Sequence, residues 1–391
     1  MKPSTTLVST GRDPSRSAGA VNVPSYRAST ITAPDFESWE ALRHRRFEKD
    51  AVVYGRFGTP GSHALEETVA AIEGADRVVP LSSGMAACAT AILATVKAGD
   101  HVLLPDNVYQ PVRLLAGGLL KDFGVESTFY DPLIGAGIAA LVRANTRLIY
   151  CESPGSQTME MADTPAIVGV AKARGIRTAF DNTWGTPLLF RPLEHGIDLS
   201  INAATKYLVG HSDAMLGTIA MRAELFERVK TVAAAYLGNC PGSEEVYLGL
   251  RGMRTMAIRL ERHGESGLAL ARWFQGRPEV HRVLYPALPD DPGHAIWKRD
   301  FSGASGLFSV MFKAIPKKAI VAFVDGLEHF GIGASFGGYE SLVLPFDPSG
   351  YRSATKWQAP GPCLRFHIGL EDVDDLIPDL ERGCERLRAA A

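Results

Sequence analysis

Short apolar segments alternate with helix-like segments between residues 62 and 216, and this alternation constrains the fold more than any other feature. The strand-like segments are residues 78–81, 101–104, 148–151, 178–180 and 199–203. Helix-like segments such as residues 165–174 lie between them. Short apolar strands that are separated by helices predict a mostly parallel sheet covered on both faces. We therefore expect an α/β fold with a large, mostly parallel sheet.

The rest of the 391-residue chain divides into an arm and a second domain. Residues 1–60 are rich in Ser, Thr, Pro and Arg, which predicts an N-terminal arm that is disordered or is ordered only by a partner subunit. We predict that residues 61–246 form the α/β domain, and that residues 247–391 form a smaller α+β domain because fewer helices separate their strands. Outside the α/β domain we predict helices at residues 36–49, 244–275 and 373–387, the second of them broken near its glycine residues. We predict strands at residues 280–284, 307–312, 341–344 and 364–367.

The composition is that of an ordinary globular protein, with 46% hydrophobic and 21% charged residues. A net charge of −2 gives no general attraction to nucleic acid or to an anionic membrane, so we expect neither as a partner. The five cysteines are odd in number and lack metal-type spacing, which predicts reduced thiols in a cytoplasmic protein. No histidine pair has metal-binding spacing, and we expect no metal, no secretory signal and no membrane span.

Lys206 follows the strand-like segment at residues 199–203 and precedes a polar turn, Gly210-His211-Ser212-Asp213. Active sites of α/β proteins collect at such strand-to-loop corners. A lysine there can form a Schiff base with a carbonyl compound if burial lowers the pKa of its amine. The simpler interpretation is a surface lysine in a polar turn.

Asp181 follows the apolar strand at residues 178–180 and precedes Lys206 by enough chain for one helix and one strand. Both side chains can therefore reach the same edge of a parallel sheet. A carboxylate at that edge can hold a cation such as a protonated pyridine nitrogen. The alternative is an aspartate that only caps the next segment.

Two segments have features of phosphate sites. Ser82-Ser83-Gly84-Met85 lies where a strand ends and a helix begins, so its amide groups and the helix dipole favour an anion, and Gly84 permits close approach. Tyr54 and Arg56, at the end of the arm, could together grip a phosphate. A tight strand–helix turn and a surface turn are the simpler alternatives.

Two further residues are candidates for ligand contacts. Tyr109 follows a strand and could stack on a flat heterocycle, although a half-buried core tyrosine is the default. Arg365 lies within an apolar strand, where burial without an anion is costly. We therefore expect a carboxylate partner for Arg365, from a ligand or from the protein itself.

Several motifs follow one another in the order that is typical of one enzyme family. They are Tyr54-Gly55-Arg56, Asp131-Pro132-Leu133-Ile134-Gly135, Glu152-Ser153-Pro154-Gly155-Ser156, Asp181-Asn182-Thr183-Trp184, the segment around Lys206, Trp297-Lys298-Arg299-Asp300-Phe301, Gly337-Gly338-Tyr339-Glu340-Ser341 and the segment from His367 to Asp375. Together they cover most of the chain. The sequence resembles the Cys/Met-metabolism family of pyridoxal-phosphate enzymes, and within it the bacterial cystathionine β-lyase branch.

The resemblance implies fold type I of the pyridoxal-phosphate-dependent transferases, with pyridoxal 5'-phosphate as the cofactor. It implies that Lys206 binds the cofactor through a Schiff base and then acts as the catalytic base. Asp181 would pair with the pyridinium nitrogen, and Tyr109 would stack on the ring and contribute to catalysis.

The remaining implied roles concern phosphate and substrate. The amides of Gly84 and Met85, with Thr205, would hold the phosphate of the cofactor. Tyr54 and Arg56 would reach the phosphate and the substrate of a neighbouring subunit. The substrate α-carboxylate would be held by Arg365 and Ser335.

The activity implied by the resemblance is that of a carbon–sulfur β-lyase in methionine biosynthesis. It would cleave L-cystathionine to homocysteine, pyruvate and ammonia by α,β-elimination. The partner would be a small amino-acid substrate, and the assembly would be a homotetramer built as a dimer of dimers.

Four positions depart from the family pattern or help to separate its branches. Ala203 stands where many relatives have a phosphate-binding serine, Phe336 replaces a tryptophan, and Ala334 replaces a tyrosine. Pro111 stands two positions after Tyr109, where a methionine γ-lyase would carry a cysteine. The alternatives are a broader cysteine-S-conjugate or cystine β-lyase, a γ-lyase or γ-synthase of the same family, and a catalytically inactive binding or regulatory homologue.

Overall fold

A computed structural model describes all 391 residues and contains two β-sheets. The strands of the larger sheet are β1 (Arg77–Leu81), β2 (His101–Pro105), β3 (Glu126–Tyr130), β4 (Thr146–Glu152), β5 (Arg177–Asp181), β6 (Leu199–Asn202) and β7 (Gly217–Met221). Their order is β1-β7-β6-β5-β4-β2-β3, and all neighbours are parallel except that β7 runs antiparallel to β1 and β6. The predicted α/β fold is confirmed.

The smaller sheet is C-terminal and mostly antiparallel. Its strands are β8 (Val280–Leu284), β9 (Leu307–Phe312), β10 (Phe330–Ile332), β11 (Ser341–Phe346) and β12 (Cys363–His367). Their order is β10-β11-β12-β9-β8, and only β10 and β11 are parallel neighbours. This is the α+β arrangement predicted for the second half of the chain.

Thirteen α-helices accompany the two sheets. They are α1 (Pro3–Ser9), α2 (Phe36–His44), α3 (Pro60–Glu73), α4 (Gly84–Leu93), α5 (Gln110–Leu115), α6 (Thr164–Ala173), α7 (Thr186–Leu189), α8 (Ala223–Lys230), α9 (Ser243–Met253), α10 (Met256–Gln275), α11 (His294–Asp300), α12 (Lys317–Asp325) and α13 (Val373–Ala390). The long helical stretch predicted from residue 244 is two helices. The predicted domain boundary at residue 246 lies within α9 and stays a prediction.

Alternate residues of β4 enter hydrophobic cores on opposite faces of the larger sheet. Leu148 and Tyr150 join the core that contains residues of α4 and α5, whereas Ile149 and Cys151 join the core that continues into the smaller sheet. This follows from the two-residue repeat of a strand. Because both faces are covered, the strand reads as a continuous apolar run in the sequence.

Trp184, just after β5, connects the two sheets. Its ring packs against Phe301 at 5.8 Å and Tyr285 at 6.4 Å between ring centroids. Its indole N–H donates to the carbonyl oxygen of Leu307, the first residue of β9, at 3.0 Å. The smaller sheet is thereby fixed against the C-terminal ends of the parallel strands.

The N-terminal region differs from the expected loose arm. Helix α1 packs on its own chain, where Leu7 is fully buried and Arg254 donates to the carbonyl oxygen of Thr10 at 2.8 Å. The charged helix predicted near residues 36–49 is shorter, ends at His44 and buries none of its residues. No helix has both the length and the apolar character that crossing a membrane requires.

Candidate active site

The C-terminal ends of β4, β5 and the turn after β6 meet at one cavity. Glu152 ends β4 and is paired in register with Asp181, which ends β5, and Lys206 follows β6. All three line a cavity of about 340 Å³ between the two sheets. Parallel strands bring their carboxyl ends to one edge, which explains how residues far apart in sequence come together here.

Most of the predicted site residues line this cavity. They are Lys206, Asp181, Tyr109, Gly84, Met85, Thr205, Ser335 and Arg365. Tyr54 and Arg56 do not: they line a separate cavity of about 320 Å³, where Arg56 donates to the carbonyl oxygen of Ala234. The three departures from the family pattern, Ala203, Ala334 and Phe336, all line the first cavity.

The amine of Lys206 is desolvated. Its Nζ donates to the hydroxyl oxygen of Ser335 at 2.8 Å, and this contact is its only hydrogen bond. Burial and, after it, the positive charge of Arg365 lower the pKa of Lys206 to about 8, although the negative charge of Asp181 opposes the shift. About a tenth of the amine is therefore neutral and nucleophilic at pH 7, far more than in an ordinary lysine.

The loop that carries Ser335 packs directly on the backbone of Lys206. Gly337 has a φ of +81°, in the left-handed region that favours glycine. A Cβ on Gly337 would lie 2.7 Å from the backbone nitrogen of Tyr207 and 2.8 Å from the carbonyl carbon of Lys206. Only glycine fits at position 337, and the loop therefore packs directly against the main chain of Lys206.

Asp181 is buried and held by short contacts. Its Oδ1 accepts from the hydroxyl of Thr183 at 2.6 Å and from the amide of Thr183 at 3.0 Å, and Cys88 Sγ lies 3.7 Å from its Oδ2. The hydroxyl of Thr183 also accepts from the amide of Ala203 at 2.8 Å, so one side chain joins the ends of β5 and β6. Burial raises the pKa of Asp181 above its usual value, which favours a cation as its partner.

Glu152 is a cavity residue that sequence reasoning gave no role. Its Oε2 accepts from the backbone amide of Tyr109 at 2.7 Å. Burial, followed by the nearby charge of Asp181, raises the pKa of Glu152 well above its usual value. A carboxylate directly after an apolar strand was a visible signal, the same one that identified Asp181.

Arg365 has no carboxylate partner in the protein. Nine-tenths of the residue is buried, and its only hydrogen bond is a long one, 3.4 Å, to the carbonyl oxygen of Ser335. Burial lowers the pKa of Arg365 to about 10. No carboxylate of this chain pairs with Arg365, which favours an anionic ligand over a protein carboxylate as its partner.

The first turn of α4 faces the same cavity. The hydroxyl of Ser83 caps the helix by accepting from the amide of Ala86 at 3.1 Å, while the first-turn amides of Gly84 and Met85 have no acceptor within the helix. Gly84 is required because a Cβ there would lie 2.4 Å from the Cβ of Ala203. Such a helix N-terminus favours a phosphate.

The hydroxyl of Thr205 is already hydrogen-bonded within the protein and is not free to donate to a phosphate. Its hydroxyl accepts from the amide of Leu216 at 2.8 Å and donates to the carbonyl oxygen of Leu216 at 3.1 Å. The hydroxyl proton is therefore engaged within the protein, and the predicted contact with phosphate requires this hydrogen bond to be exchanged.

Comparison with known proteins gives the same family along almost the whole chain. The family model described as "Cys/Met metabolism PLP-dependent enzyme" matches residues 4–385. A putative cystathionine beta-lyase of Rhizobium johnstonii is 47% identical over 97% of this chain and 95% of its own length. Cystathionine beta-lyase MetC of Escherichia coli is 41% identical over 99% of both chains.

Not all relatives have a lyase name. An L-alanine/L-glutamate racemase of Wolbachia pipientis is 40% identical over 99% of this chain and 98% of its own length. Among solved structures, that of metB from Corynebacterium glutamicum superposes with a TM-score of 0.90 at 31% identity, covering 99% of this chain and 98% of that one. The chain belongs to the Cys/Met-metabolism family of pyridoxal-phosphate-dependent enzymes.

Proposed function

We propose that this protein is a pyridoxal-phosphate-dependent carbon–sulfur lyase that cleaves L-cystathionine to homocysteine, pyruvate and ammonia by α,β-elimination. The observation that carries the proposal is the shared cavity of a lysine with a lowered pKa, a buried carboxylate and a buried arginine without a protein partner, Lys206, Asp181 and Arg365. The names of the relatives support the choice of substrate.

The residues present fit the cofactor. Lys206 would bind the aldehyde carbon, Asp181 would pair with the protonated ring nitrogen, and the amides of Gly84 and Met85 would bind the phosphate. The raised pKa of Asp181 supports this assignment, because a cation at its carboxylate would offset the cost of burying its charge. When bound, pyridoxal phosphate supplies an electron sink that stabilises negative charge at the substrate Cα.

The proton chemistry falls to Lys206. When its amine is not bound to the cofactor, the Nζ atom of Lys206 would take the Cα proton of the substrate, and a pKa of about 8 suits a general base near neutral pH. The same group can then deliver a proton to the departing sulfur. Ser335, whose hydroxyl oxygen is 2.8 Å from Nζ, keeps the amine directed into the cavity.

Substrate orientation falls to Arg365 and Ser335. A buried guanidinium without a protein anion can bind the α-carboxylate by two parallel hydrogen bonds. Because this arginine also lowers the pKa of Lys206, binding of the carboxylate would neutralise its effect and make the lysine a stronger base when substrate is present.

The purified protein tests the first step of the proposal. We expect a visible absorption band from the bound cofactor that borohydride abolishes, and we expect Lys206→Ala to lack the band because no Schiff base can form. The control is Lys172→Ala, at an exposed lysine of α6 that lines neither cavity, and this variant should keep the band. A colourless wild type that takes up no pyridoxal phosphate would favour the inactive-homologue alternative.

The keto acid that is released separates the enzymatic alternatives. Pyruvate from cystathionine identifies β-elimination, whereas 2-oxobutyrate identifies a γ-lyase. Equal turnover of cystine and other cysteine conjugates would favour the broader β-lyase, which the small side chain of Ala334 in the cavity wall would accommodate. Loss of optical activity from alanine or glutamate without keto acid would instead identify a racemase.

The proposal extends to the assembly and its location. We propose a homotetramer of two dimers in the cytoplasm, with Tyr54 and Arg56 contacting the cofactor of a neighbouring chain. The exposed aromatic side chains Phe36, Trp39 and Tyr54 in the N-terminal region support a subunit contact there. The five cysteines are free, which supports a reducing compartment.

A further inference from the structure

The segment of residues 351–357, which we call the strap, crosses from the smaller sheet to the larger one. It lies in the connection between β11 and β12, and β12 carries Arg365. Its first anchor is a buried ion pair, in which Arg352 lies 2.7 Å from Glu160 Oε1 and donates to the hydroxyl oxygen of Thr158 at 2.6 Å. This anchor involves side chains only, and both partners belong to the loop that follows β4.

The second anchor of the strap is the carboxylate of Asp106, which is fully buried. Asp106 accepts from the backbone amides of Ser353 at 3.0 Å, Ala354 at 3.0 Å and Thr355 at 2.7 Å, and from the hydroxyl of Thr355 at 2.8 Å. Three successive amides converging on one carboxylate fix the backbone of the strap, not only its side chains.

Asp106 also bonds to a residue on the far side of Tyr109 in the sequence. It follows β2 directly, three residues before Tyr109, and its Oδ1 accepts from the guanidinium of Arg113 at 2.5 Å. Arg113 donates as well to the carbonyl oxygen of Asp106 at 3.0 Å. The two hydrogen bonds therefore link a residue before Tyr109 to a residue after it. One carboxylate therefore ties together the strap and the first turn of α5, at whose start Tyr109 lies.

We propose that Asp106 and the strap are positioning residues that hold Tyr109 in register with Arg365 across the two sheets. The inference rests on the proposed function, in which Tyr109 stacks on the cofactor ring and Arg365 holds the substrate. The charged carboxylate is essential because each of its oxygens faces N–H donors. An amide at position 106 would direct its own N–H groups at some of these donors, and buried donors facing one another are repelled.

The test compares holoenzymes of Asp106→Asn and of a matched control, Asp379→Asn. Asp379 is also fully buried, accepts from two successive amides, of Glu328 and His329, and pairs with Arg382, but it lies in α13 away from the cavity. Trypsin reports on the strap through the bonds after Arg352 and Lys356. We expect cleavage there to be several-fold faster in Asp106→Asn and unchanged in Asp379→Asn.

A second measurement separates positioning from simple stabilisation. We expect Asp106→Asn to reduce kcat about 10-fold or more and to change the visible circular dichroism of the bound cofactor, because a ring that loses its stacking partner changes orientation. The control should keep both properties. If Asp106→Asn does not fold, Thr355→Val, which removes only the 2.8 Å hydroxyl contact, should show the same changes to a smaller degree.

Two results would overturn the inference. One is a strap that resists trypsin in Asp106→Asn as it does in the wild type. The other is a strap that is cleaved faster while kcat and the dichroism stay at wild-type values. Failure of the proposed function is a separate outcome, because the trypsin experiment does not depend on the reaction and the borohydride experiment does not depend on the strap.

Discussion

The charge of Arg365 acts on Lys206 before any substrate is present. Burial is the main reason why the pKa of Lys206 falls to about 8, and the positive charge of Arg365 is the next. Only the neutral amine attacks an aldehyde, so the reaction of the protein with its cofactor has to follow this pKa.

Uptake of pyridoxal phosphate by the cofactor-free protein should therefore accelerate as pH rises and level off above about pH 8. Arg365→Gln should move the midpoint to higher pH, because removal of the positive charge of Arg365 raises the pKa of Lys206. Stopped-flow absorbance at a series of pH values measures the midpoint.

The control for this experiment is Arg388→Gln. Arg388 lies near the C-terminus and forms an ion pair with Glu279. This variant should leave the midpoint unchanged. A wild-type midpoint near the ordinary lysine value, or a midpoint in Arg365→Gln that does not move, would contradict the electrostatic account.

Single residues differ in how far the sequence predicts them. Lys206 and Asp181 follow apolar segments of the sequence and Arg365 lies within one, where a charge is conspicuous, and all three line the cavity. Glu152 also follows an apolar segment, but the sequence suggested no chemical role for it. Its contact is with a backbone amide, that of Tyr109, and no sequence pattern predicts a bond to the main chain of a distant residue.

At the scale of elements, Thr183 connects two strands at the end that faces the cavity. Its hydroxyl donates to Asp181 on β5 at 2.6 Å and accepts from Ala203 after β6 at 2.8 Å. Thr178 makes the equivalent link at the other end of β5, where its hydroxyl contacts Asp198 at 2.9 Å and accepts from the amide of Asp198 at 3.0 Å.

Thr183→Val should reduce kcat about 10-fold, because both the carboxylate and the turn before Lys206 lose their alignment. Thr178→Val should leave kcat unchanged. Each variant should lose on the order of 1–2 kcal/mol of unfolding free energy, since each leaves buried groups without a partner. Denaturant unfolding and steady-state kinetics provide the two measurements, and equal losses of kcat in both variants would contradict the special role of Thr183.

Five of the seven strands of the larger sheet were predicted, whereas β3 and β7 were not, nor was β10 of the smaller sheet. Strand β7 is completely buried and lies between β1 and β6, so it has no polar alternation to identify it. Because β7 runs antiparallel to β1 and β6, it also departs from the alternation of parallel strands and helices that identified the other strands. The break between α9 and α10 was predicted near a glycine, and Gly252 lies just before it.

At the scale of the whole molecule, the two halves of the predicted site do not meet within one chain. Lys206 and Arg365 line one cavity, whereas Tyr54 and Arg56 line another. A chain can complete its site only if a neighbour supplies the second pair, as we propose. Sequence could suggest that the arm serves a partner, but the helix at its start, α1, is held by its own chain through contacts that the sequence does not reveal.

Mixing two inactive variants tests this arrangement. Lys206→Ala and Arg56→Ala should regain activity when they are unfolded together and refolded, because a mixed dimer contains one site in which both residues are native. Random pairing should restore about a quarter of the wild-type activity. Turnover per protomer measures the recovery.

The control mixture is Lys206→Ala with Arg365→Ala. Both residues line the same cavity of one chain, so every site in this mixture lacks one of them and no activity should return. No recovery in the first mixture, with both variants correctly folded, would mean that each chain works alone.

The glycine that packs on Lys206 has a consequence for where this lysine can move protons. Because the loop at Gly337 contacts the main chain of Lys206, the Nζ atom changes its position mainly by rotation about the side-chain bonds. These rotations define the volume within which the amine can take up or deliver a proton. An atom outside that volume has to exchange its proton with another group.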